Sequence, residues 1–215
     1  MGGTIAGQAA SATEQLAYQA GQLKADDLLA SVPLPPDWAV RGLRICSASL
    51  AQLDSKDMDR VAWATLVRAL WPLLDDPTVK GVVITHGTDT LEETAFWLSQ
   101  VLAPSKPVVL TCAMRPATGL SADGPQNLLD ALTVAATEGL SGVMAVVASQ
   151  VWEGRWLQKV HPHRLHAFDG ADHGPLGWVG GGRFHAMAHA LTCAPVLSRL
   201  QLEAVLNAPS WPWVL

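Results

Sequence analysis

The stretch that decides the fold, residues 82–93, reads VVITHGTDTLEE and joins an apolar run to a glycine-containing corner and then to a helical pattern. Residues 79–85 are β-branched and mostly apolar, which is typical of a strand covered on both faces in a parallel sheet. Thr90 and Glu93 have the spacing of a capping box, which predicts a helix that begins at Thr90 and runs to about Leu102.

Thr88 and Asp89 therefore lie between the carboxyl end of a buried strand and the start of a helix. Ligands bind at such places in open α/β sheets, because backbone amides and the helix dipole favour an anionic group there. A hydroxyl beside a carboxylate fits an activated nucleophile or a ligand clamp. Thr and Asp are also common in strand-to-helix turns, so this stretch alone leaves a purely structural role open.

Composition bounds the class of protein. The 215 residues are 49% hydrophobic with a formal net charge of −5, which indicates a globular chain with a sizeable core. The absence of a basic run argues against nucleic acid and against an anionic membrane surface as partners. No apolar stretch reaches the roughly 18 residues needed to span a membrane. Cys46, Cys112 and Cys193 are far apart, so we expect buried reduced thiols rather than disulfides or a metal site.

Strand and helix patterns alternate along the chain. This alternation predicts an α/β fold with a three-layer, doubly wound, mostly parallel sheet. Residues 8–24 lack periodicity and are predicted to form a mobile loop. Strands are expected at residues 43–48, 79–85, 107–112 and 142–148, and helices at 26–31, 58–70, 90–102 and 124–138, the last with Asp123 as N-cap and Gly139 as its end.

Four further residues are candidates for chemistry. Thr4 follows two glycines that suit a close approach of backbone to a ligand, although a lone Gly-Gly-Thr is a weak signal. Tyr18 becomes functional only if its loop folds over the corner as a lid. Ser55 fits either a helix cap or a ligand contact, with the cap favoured. Lys159 becomes a proton carrier only if it folds back towards Asp89.

Three histidines raise the question of a metal. His161, His163 and His166 lie close together, as in some zinc sites. No cysteine or acidic ligand accompanies them at a recognisable spacing, so no metal site is predicted.

Several stretches together carry a family resemblance: GGTIAG (2–7), DSKDM (54–58), ITHGTDTLEETA (84–95), AMRP (113–116) with SADGP (121–125), Gly154-Arg155 ahead of Lys159, and GPLG (174–177). In order and spacing across nearly the whole chain, these stretches resemble the bacterial-type L-asparaginase family, the threonine-dependent amidohydrolases. The resemblance implies a family N-terminal catalytic domain at residues 1–190 that lacks its first strand. It also implies that residues 191–215 are a linker and the truncated start of a second, smaller α/β domain that is missing.

The resemblance implies hydrolysis of L-asparagine to L-aspartate and ammonia through an acyl-enzyme, without metal or cofactor. Thr4 matches the nucleophile and Tyr18 its partner on a flexible lid. Thr88, Asp89 and Lys159 match a second triad in which Lys159 exchanges a proton with Thr88; which threonine attacks first stays open. The matched substrate contacts are Ser55 to the α-carboxylate, Asp89 to the α-amino group, and the Ala113 carbonyl to the side-chain amide.

Departures from the family pattern leave alternatives. Lys56 stands where well-known members have a neutral or acidic side chain, so the preference for asparagine over glutamine is open. Met1 occupies the position that normally joins the first strand to the Gly-Gly-Thr turn, and we hypothesise that an upstream start encodes that strand. The full-length protein is expected to be a homo-oligomer, a dimer or tetramer, in the cytoplasm, although an absent N-terminal segment would leave a signal peptide unseen. Alternatives are a glutaminase-asparaginase, the ammonia-releasing subunit of a tRNA-dependent amidotransferase, or a non-catalytic remnant that binds an amino acid.

Overall fold

The computed structural model describes residues 2–14, 17–188 and 197–211. Short strands and helices alternate through most of this part of the chain. In order they are β1 (Gln8–Ala9), β2 (Tyr18–Gln19), α1 (Ala25–Ala30), α2 (Asp37–Val40), α3 (Arg60–Asp75), β3 (Val82–Thr85), α4 (Leu91–Val101), β4 (Pro107–Thr111), α5 (Gly124–Ala135), β5 (Gly142–Val147), β6 (Gln150–Glu153), β7 (Gln158–Lys159), β8 (Phe168–Asp169), β9 (Gly177–Gly180), β10 (Arg183–Ala186) and α6 (Arg199–Leu206).

The main sheet contains six strands in the order β10-β9-β6-β5-β4-β3. Strands β3, β4 and β5 are parallel neighbours, each joined to the next by a helix, as the alternating pattern predicts. From β5 onward the neighbours β6, β9 and β10 run antiparallel. The α/β class is therefore confirmed, and the sheet is mixed, with its parallel part at the β3 edge.

Helices cover both faces of the parallel strands. In β4, Val108 and Leu110 pack in a core cluster with α3, α4 and α6, whereas Val109 packs with α5 on the opposite face. This alternation is the two-residue period of a strand buried on both sides, and it produces three layers. Strand β5 repeats the pattern, with Val143, Ala145 and Val147 on the first face and Met144 and Val146 on the second.

Helix α4 begins where the sequence predicts, but the predicted capping box is wrong. Thr90 is the N-cap residue, yet its side chain makes no capping hydrogen bond. Its hydroxyl instead donates to the backbone oxygen of Ser55, 2.7 Å away. A tertiary hydrogen bond thus replaces the local one. Helix α3 shows the expected local device, because the Asp59 carboxylate accepts from the Ala62 N–H at 2.8 Å.

Other elements differ from prediction in short segments. Residues 43–48 form no strand in the structure. Within residues 8–24, β1 and β2 pair antiparallel, so the described part of this segment is not merely a loop. The glycine-rich stretch after Leu176 forms the β9–β10 hairpin, which the sequence reading missed because glycine weakens strand patterns. Helix α5 ends at Ala135, before the predicted Glu138.

The first described residues lie beside the β3 edge of the sheet. Gly2 forms a parallel bridge with Leu53, and the Gly3 N–H donates to the Leu53 oxygen at 3.0 Å. Gly21 also donates to the Gly3 oxygen at 3.1 Å. These hydrogen bonds fix the glycine turn between the segment that ends at Leu53 and strand β3.

Helix α6 packs against α3 rather than standing apart. Leu202 and Leu206 are buried in the same core as α3, and Arg68 forms a 2.8 Å ion pair with Glu203. The predicted boundary between residues 190 and 191 lies outside the described residues, so the division into 1–190 and 191–215 stays a prediction. Of the linker and second-domain start expected at residues 191–215, the structure describes residues 197–211.

The cysteines only partly match expectation. Cys112 is buried, and burial raises the pKa of its thiol, which suits an unreactive core residue. Cys46 is exposed, so the expectation that it is buried is wrong. It lies in the irregular segment that follows α2. Cys193 lies outside the described residues. No helix among the described residues has the length and apolarity to cross a membrane.

Candidate active site

The candidate site lies at the carboxyl ends of the parallel strands. Thr85 of β3 pairs with Thr111 of β4, and the next residue, His86, donates its N–H to the Thr111 oxygen at 2.8 Å. The corner that contains Thr88 and the segment that contains Ala113 therefore leave the sheet side by side. Parallel α/β sheets bind ligands at these carboxyl ends of their strands.

Lys159 joins the two polar residues of the corner. Its side-chain nitrogen donates to the Thr88 hydroxyl at 2.8 Å and to the Asp89 carboxylate at 2.7 Å. Thr88 is buried and the Lys159 side chain is 18% exposed, whereas Asp89 is open to solvent on one side. The structure thus brings Lys159 to Thr88 and Asp89, predicted site residues that lie 71 and 70 positions earlier in the chain, with the Thr88 hydroxyl enclosed and the Asp89 carboxylate exposed.

The first turn of α4 holds the backbone that carries Lys159. The Lys159 N–H donates to the Glu92 carboxylate, and Lys159 also pairs with Phe168 through the β7–β8 ribbon. Sequence reasoning missed this role of Glu92. Its position in the first turn of a helix next to the corner is the signal that could have indicated it, since carboxylates favour helix N-termini.

Thr4 and Tyr18 form a second pair. Thr4 begins a short 3-10 helix and is buried, and its hydroxyl lies 2.6 Å from the Tyr18 hydroxyl. Tyr18 lies on β2, which pairs with β1 directly after the Thr4 turn. The ring of Tyr18 packs against Gly7, where a Cβ would lie 2.8 Å from it. The segment that carries Tyr18 thus folds over Thr4, as a lid position requires.

Two glycines in close contact separate the Thr4–Tyr18 pair from the Thr88–Lys159 contact. Gly3 has φ +76°, and a Cβ built on it would lie 2.2 Å from the Cα of Gly87. A Cβ on Gly87 would meet the Ser55 hydroxyl at 2.3 Å. Only glycine permits this approach, and it places the turn that carries Thr4 against the corner that carries Thr88.

Ser55 contacts the corner instead of capping α3. Its hydroxyl oxygen accepts the Asp89 N–H at 3.2 Å, and no hydrogen bond among the described residues uses its own proton. The favoured cap interpretation is therefore wrong, because Asp59 caps α3. The neighbouring Lys56 is exposed and its ammonium group is held by Asp54 at 2.8 Å and by Asp57 at 3.2 Å.

The loop around Ala113 is held by a buried polar network. Asp123 is the N-cap residue of α5, as predicted, but its carboxylate makes no capping hydrogen bond and instead accepts the N–H groups of Met114 and Arg115, both at 2.9 Å. Asn127 donates to the Cys112 oxygen at 3.0 Å and also contacts Asp123. These bonds fix the backbone on both sides of Ala113. Ala113 itself is fully buried, so a contact through its backbone carbonyl is compatible with its position, whereas one through its side chain is not.

His86 is a buried polar residue that sequence reasoning did not single out. It is 1% exposed, its Nδ1 lies 2.9 Å from the Gly87 oxygen, and its Nε2 lies 3.0 Å from the Thr94 hydroxyl. Burial lowers the pKa of His86 from its ordinary value of 6.5 to about 4, although the hydrogen bond to Gly87 opposes the shift. The ring is thus neutral at pH 7.

The histidine cluster after Lys159 is not assembled around a common centre. His161 contacts Arg164 at 3.4 Å. Across residues 2–14, 17–188 and 197–211, no three His, Cys, Asp or Glu side chains are grouped so that they could hold a metal ion.

The fold and the site define an α/β protein with two threonine hydroxyls at one sheet edge, one of them bonded to a lysine amine beside a carboxylate. A family model described as "Asparaginase, N-terminal" matches residues 1–191. The chain belongs to this asparaginase family.

Individual relatives agree. The chain is 38% identical over 185 residues to "L-asparaginase 2" of Escherichia coli (strain K12), covering 85% of this chain and 51% of that protein. It is 39% identical over 170 residues to "Glutaminase-asparaginase" of Acinetobacter glutaminasificans, covering 78% and 50%. A solved structure, the probable cytoplasmic L-asparaginase from Campylobacter jejuni, matches with TM-score 0.82 and 35% identity over 88% of this chain and 57% of that one. The chain spans about half the length of the curated relatives it matches.

Proposed function

We propose that this chain carries the catalytic domain of an amide hydrolase of the asparaginase type, which converts L-asparagine and water to L-aspartate and ammonia. The observation that carries this proposal is the contact of Lys159 with both Thr88 and Asp89. An amide resists attack by an ordinary hydroxyl, so the reaction needs a base beside a hydroxyl and donors for the oxyanion. Lys159 is the candidate base, and the backbone amides of the corner are the candidate donors.

In the proposed reaction Thr4 is the nucleophile. Its hydroxyl oxygen bonds to the amide carbon, the C–N bond breaks, and the nitrogen leaves as ammonia after taking up a proton. Water then cleaves the resulting ester, which restores the threonine and releases aspartate. Tyr18 holds the Thr4 hydroxyl for attack. Lys159 accepts the Thr4 hydroxyl proton through Thr88 and passes it to the leaving nitrogen. In the second half of the reaction it takes a proton from the attacking water and returns it to Thr4, so that the protons balance over the cycle.

The substrate contacts follow from the exposed side of the site. The free Ser55 proton suits an α-carboxylate, and the half-open Asp89 carboxylate suits an α-ammonium group. The backbone carbonyl of Ala113 suits the side-chain amide, because an amide nitrogen is a donor. No cofactor enters the proposed reaction. Assembly of the whole protein as a homo-oligomer and a cytoplasmic location are part of the same proposal.

A second candidate is a glutaminase-asparaginase. Relatives with that name are about as similar to the chain as those named L-asparaginase, at 39% and 38% identity. Lys56 lies next to Ser55, and two aspartates balance its positive charge. Its charge therefore favours neither asparagine nor glutamine as the substrate. The ratio of ammonia released from asparagine to that released from glutamine separates the two candidates.

A third candidate is amino-acid binding without turnover, for which the Ser55 hydroxyl and the exposed Asp89 carboxylate are the candidate contacts. In that case the chain releases no ammonia, but aspartate raises its melting temperature, since a ligand that prefers the native state stabilises it.

The test measures ammonia released by the purified 215-residue chain and by its Thr4→Ala and Thr88→Ala variants. Thr65→Ala is the matched control, because Thr65 is exposed on α3 and its hydroxyl bonds only its own helix. We expect turnover to be lost in both site variants and kept in the control. Mass spectrometry of the acid-quenched reaction is expected to find the aspartyl ester on Thr4. Full turnover in either site variant would contradict the proposal.

A further inference from the structure

The carbonyl that precedes Thr88 is held by the histidine of the corner. His86 Nδ1 lies 2.9 Å from the Gly87 oxygen. A carbonyl oxygen only accepts hydrogen bonds, so Nδ1 carries the proton. In a trans peptide the C=O and the following N–H point in opposite directions, so a fixed Gly87 carbonyl also fixes the direction of the Thr88 N–H.

Behind His86 the hydrogen bonds continue to helix α3. The Thr94 hydroxyl lies 3.0 Å from His86 Nε2, and the Trp63 Nε1–H donates to the same hydroxyl at 2.9 Å. Thr94 is fully buried and His86 nearly so, and each bond joins its two side chains directly. Trp63 lies at its outer end and stacks on Trp211, with ring centroids 6.3 Å apart.

The two ends determine every proton between them. The indole N–H is a donor only, so Thr94 accepts from Trp63 and directs its own proton to His86 Nε2. Nε2 is then unprotonated, in agreement with the proton on Nδ1 at the Gly87 end. The neutral state required by this pattern agrees with the lowered pKa of His86. All three hydrogen bonds run in one direction, from Trp63 to the Gly87 carbonyl, and aligned bonds of this kind strengthen one another.

The Thr88 N–H is the group whose direction is fixed by the hydrogen bonds from Trp63 to the Gly87 carbonyl. Thr88 is buried at the candidate site, and none of the hydrogen bonds that join the described residues uses its N–H, whereas the next N–H, of Asp89, donates to Ser55. A buried, unpaired N–H is costly unless a ligand completes it. A preorganised N–H beside a reacting amide is suited to an oxyanion.

We propose that His86, held in its Nδ1–H tautomer by the hydrogen-bond chain Trp63–Thr94–His86, is the positioning residue that aims the Thr88 N–H at the oxyanion of the reaction. This inference rests on the proposed amide hydrolysis for its functional meaning, whereas the tautomer and the amide orientation are properties of the resting protein.

The first experiment reads the tautomer in the resting 215-residue chain labelled with ¹⁵N-histidine. Long-range ¹H–¹⁵N spectra are expected to give a pyrrole-type Nδ1 and a pyridine-type Nε2 for His86, unchanged between about pH 5.5 and 8. A His86→Gln variant assigns the signal by its loss. An Nε2–H tautomer, or titration of His86 near neutral pH, would overturn the proposal.

The second experiment breaks the chain without touching the site. Thr94→Val removes the hydroxyl at nearly constant volume, and Thr94→Ser keeps it as the matched control. In the valine variant we expect a mixed His86 tautomer, a shifted Thr88 backbone ¹⁵N signal, and a kcat about tenfold lower with KM within about twofold. In the serine variant we expect wild-type values. Wild-type Thr88 and His86 signals in the valine variant would overturn the proposal.

A further variant tests the same hydrogen-bond chain at its other end, so that the result does not depend on the folding of Thr94→Val alone. Trp63→Phe keeps a stacking ring at the outer end of the chain but removes the donor, and we expect the same direction of change as for Thr94→Val. If the wild-type chain releases no ammonia, the proposed function fails, but the two spectroscopic readouts still decide whether His86 aims the Thr88 amide.

Discussion

The Lys159 side-chain nitrogen donates a hydrogen bond to the hydroxyl of Thr88 over 2.8 Å, although the two residues are 71 positions apart. The contact depends on two features of one helix. The corner before α4 presents Thr88, and Glu92 in the first turn of α4 holds the backbone N–H of Lys159. A short, two-residue strand thereby places a flexible side chain with a defined reach, which is how a lysine becomes useful for proton transfer.

Replacing Lys159 by methionine is expected to lower kcat for ammonia release by at least about 10²-fold, because the proton carrier is removed while the apolar stem is kept. Lys80→Met is the control, since Lys80 is exposed before β3, at the opposite end of the parallel strands. Steady-state ammonia assays measure both variants. A Lys159→Met variant within about threefold of the wild-type kcat would rule out the proposed role.

Replacing Tyr18 by phenylalanine is expected to lower kcat by at least about tenfold, because the hydroxyl 2.6 Å from Thr4 is lost. The ring packs against Gly7, so phenylalanine retains that packing and the change isolates the hydroxyl. Thermal unfolding serves as the control and is expected to stay near the wild-type temperature. Equal kcat values for the two proteins would mean that Tyr18 only covers the site.

Acid is expected to destabilise the protein through His86. Its pKa is about 4 in the folded state and 6.5 in its ordinary state, so the unfolded chain binds the extra proton between these values. The free energy of unfolding therefore loses up to about 3 kcal/mol from this residue as the pH falls from 6.5 to 4, and nothing above 6.5. Urea unfolding of wild type and His86→Gln across this range measures the difference. Parallel pH profiles for the two proteins would contradict the prediction.

The β5–β6 hairpin is expected to gain stability from glycine. Ala148 has φ +50° and Ser149 φ +61°, the left-handed pair of a two-residue turn. Ala148→Gly relieves a cost of about 1–2 kcal/mol and adds about 0.5–1 kcal/mol of unfolded-state entropy, a net gain of about 0.5–1 kcal/mol in the free energy of unfolding. Ala145→Gly, in the middle of β5, is the control and is expected to destabilise. Urea midpoints measure both, and a less stable Ala148→Gly variant would contradict the argument.

The central part of the fold could be predicted from sequence because its signals are local. The apolar run before His86 and the helical spacing after Thr90 gave the β3–α4 unit, and the same pattern recurred around Pro107. The capping box failed for a tertiary reason: the Ser55 carbonyl takes the Thr90 hydroxyl, and no local rule registers a partner 35 residues away. Residues 43–48 have strand-like composition, but a strand exists only with a paired neighbour, which the structure does not give them.

The site was less accessible to sequence reasoning. Thr88 and Asp89 follow from their place at the end of a strand, but Lys159 lies on a two-residue strand with no periodic signal and was assigned only through the family resemblance. The hydrogen-bond chain behind His86 has no pattern at all, because its members come from a corner and two different helices. Its only trace in the sequence is a histidine between a strand and a glycine.

The contact between Gly3 and Gly87 has an evolutionary consequence. A methyl group on Gly3 would lie 2.2 Å from the Cα of Gly87, and one on Gly87 would overlap Ser55. No single substitution at either glycine can therefore preserve the distance between the turn that carries Thr4 and the corner that carries Thr88. The width of the cleft is thus locked against stepwise drift. Lys56, next to Ser55, is not under this constraint, because its exposed side chain meets solvent and two aspartates.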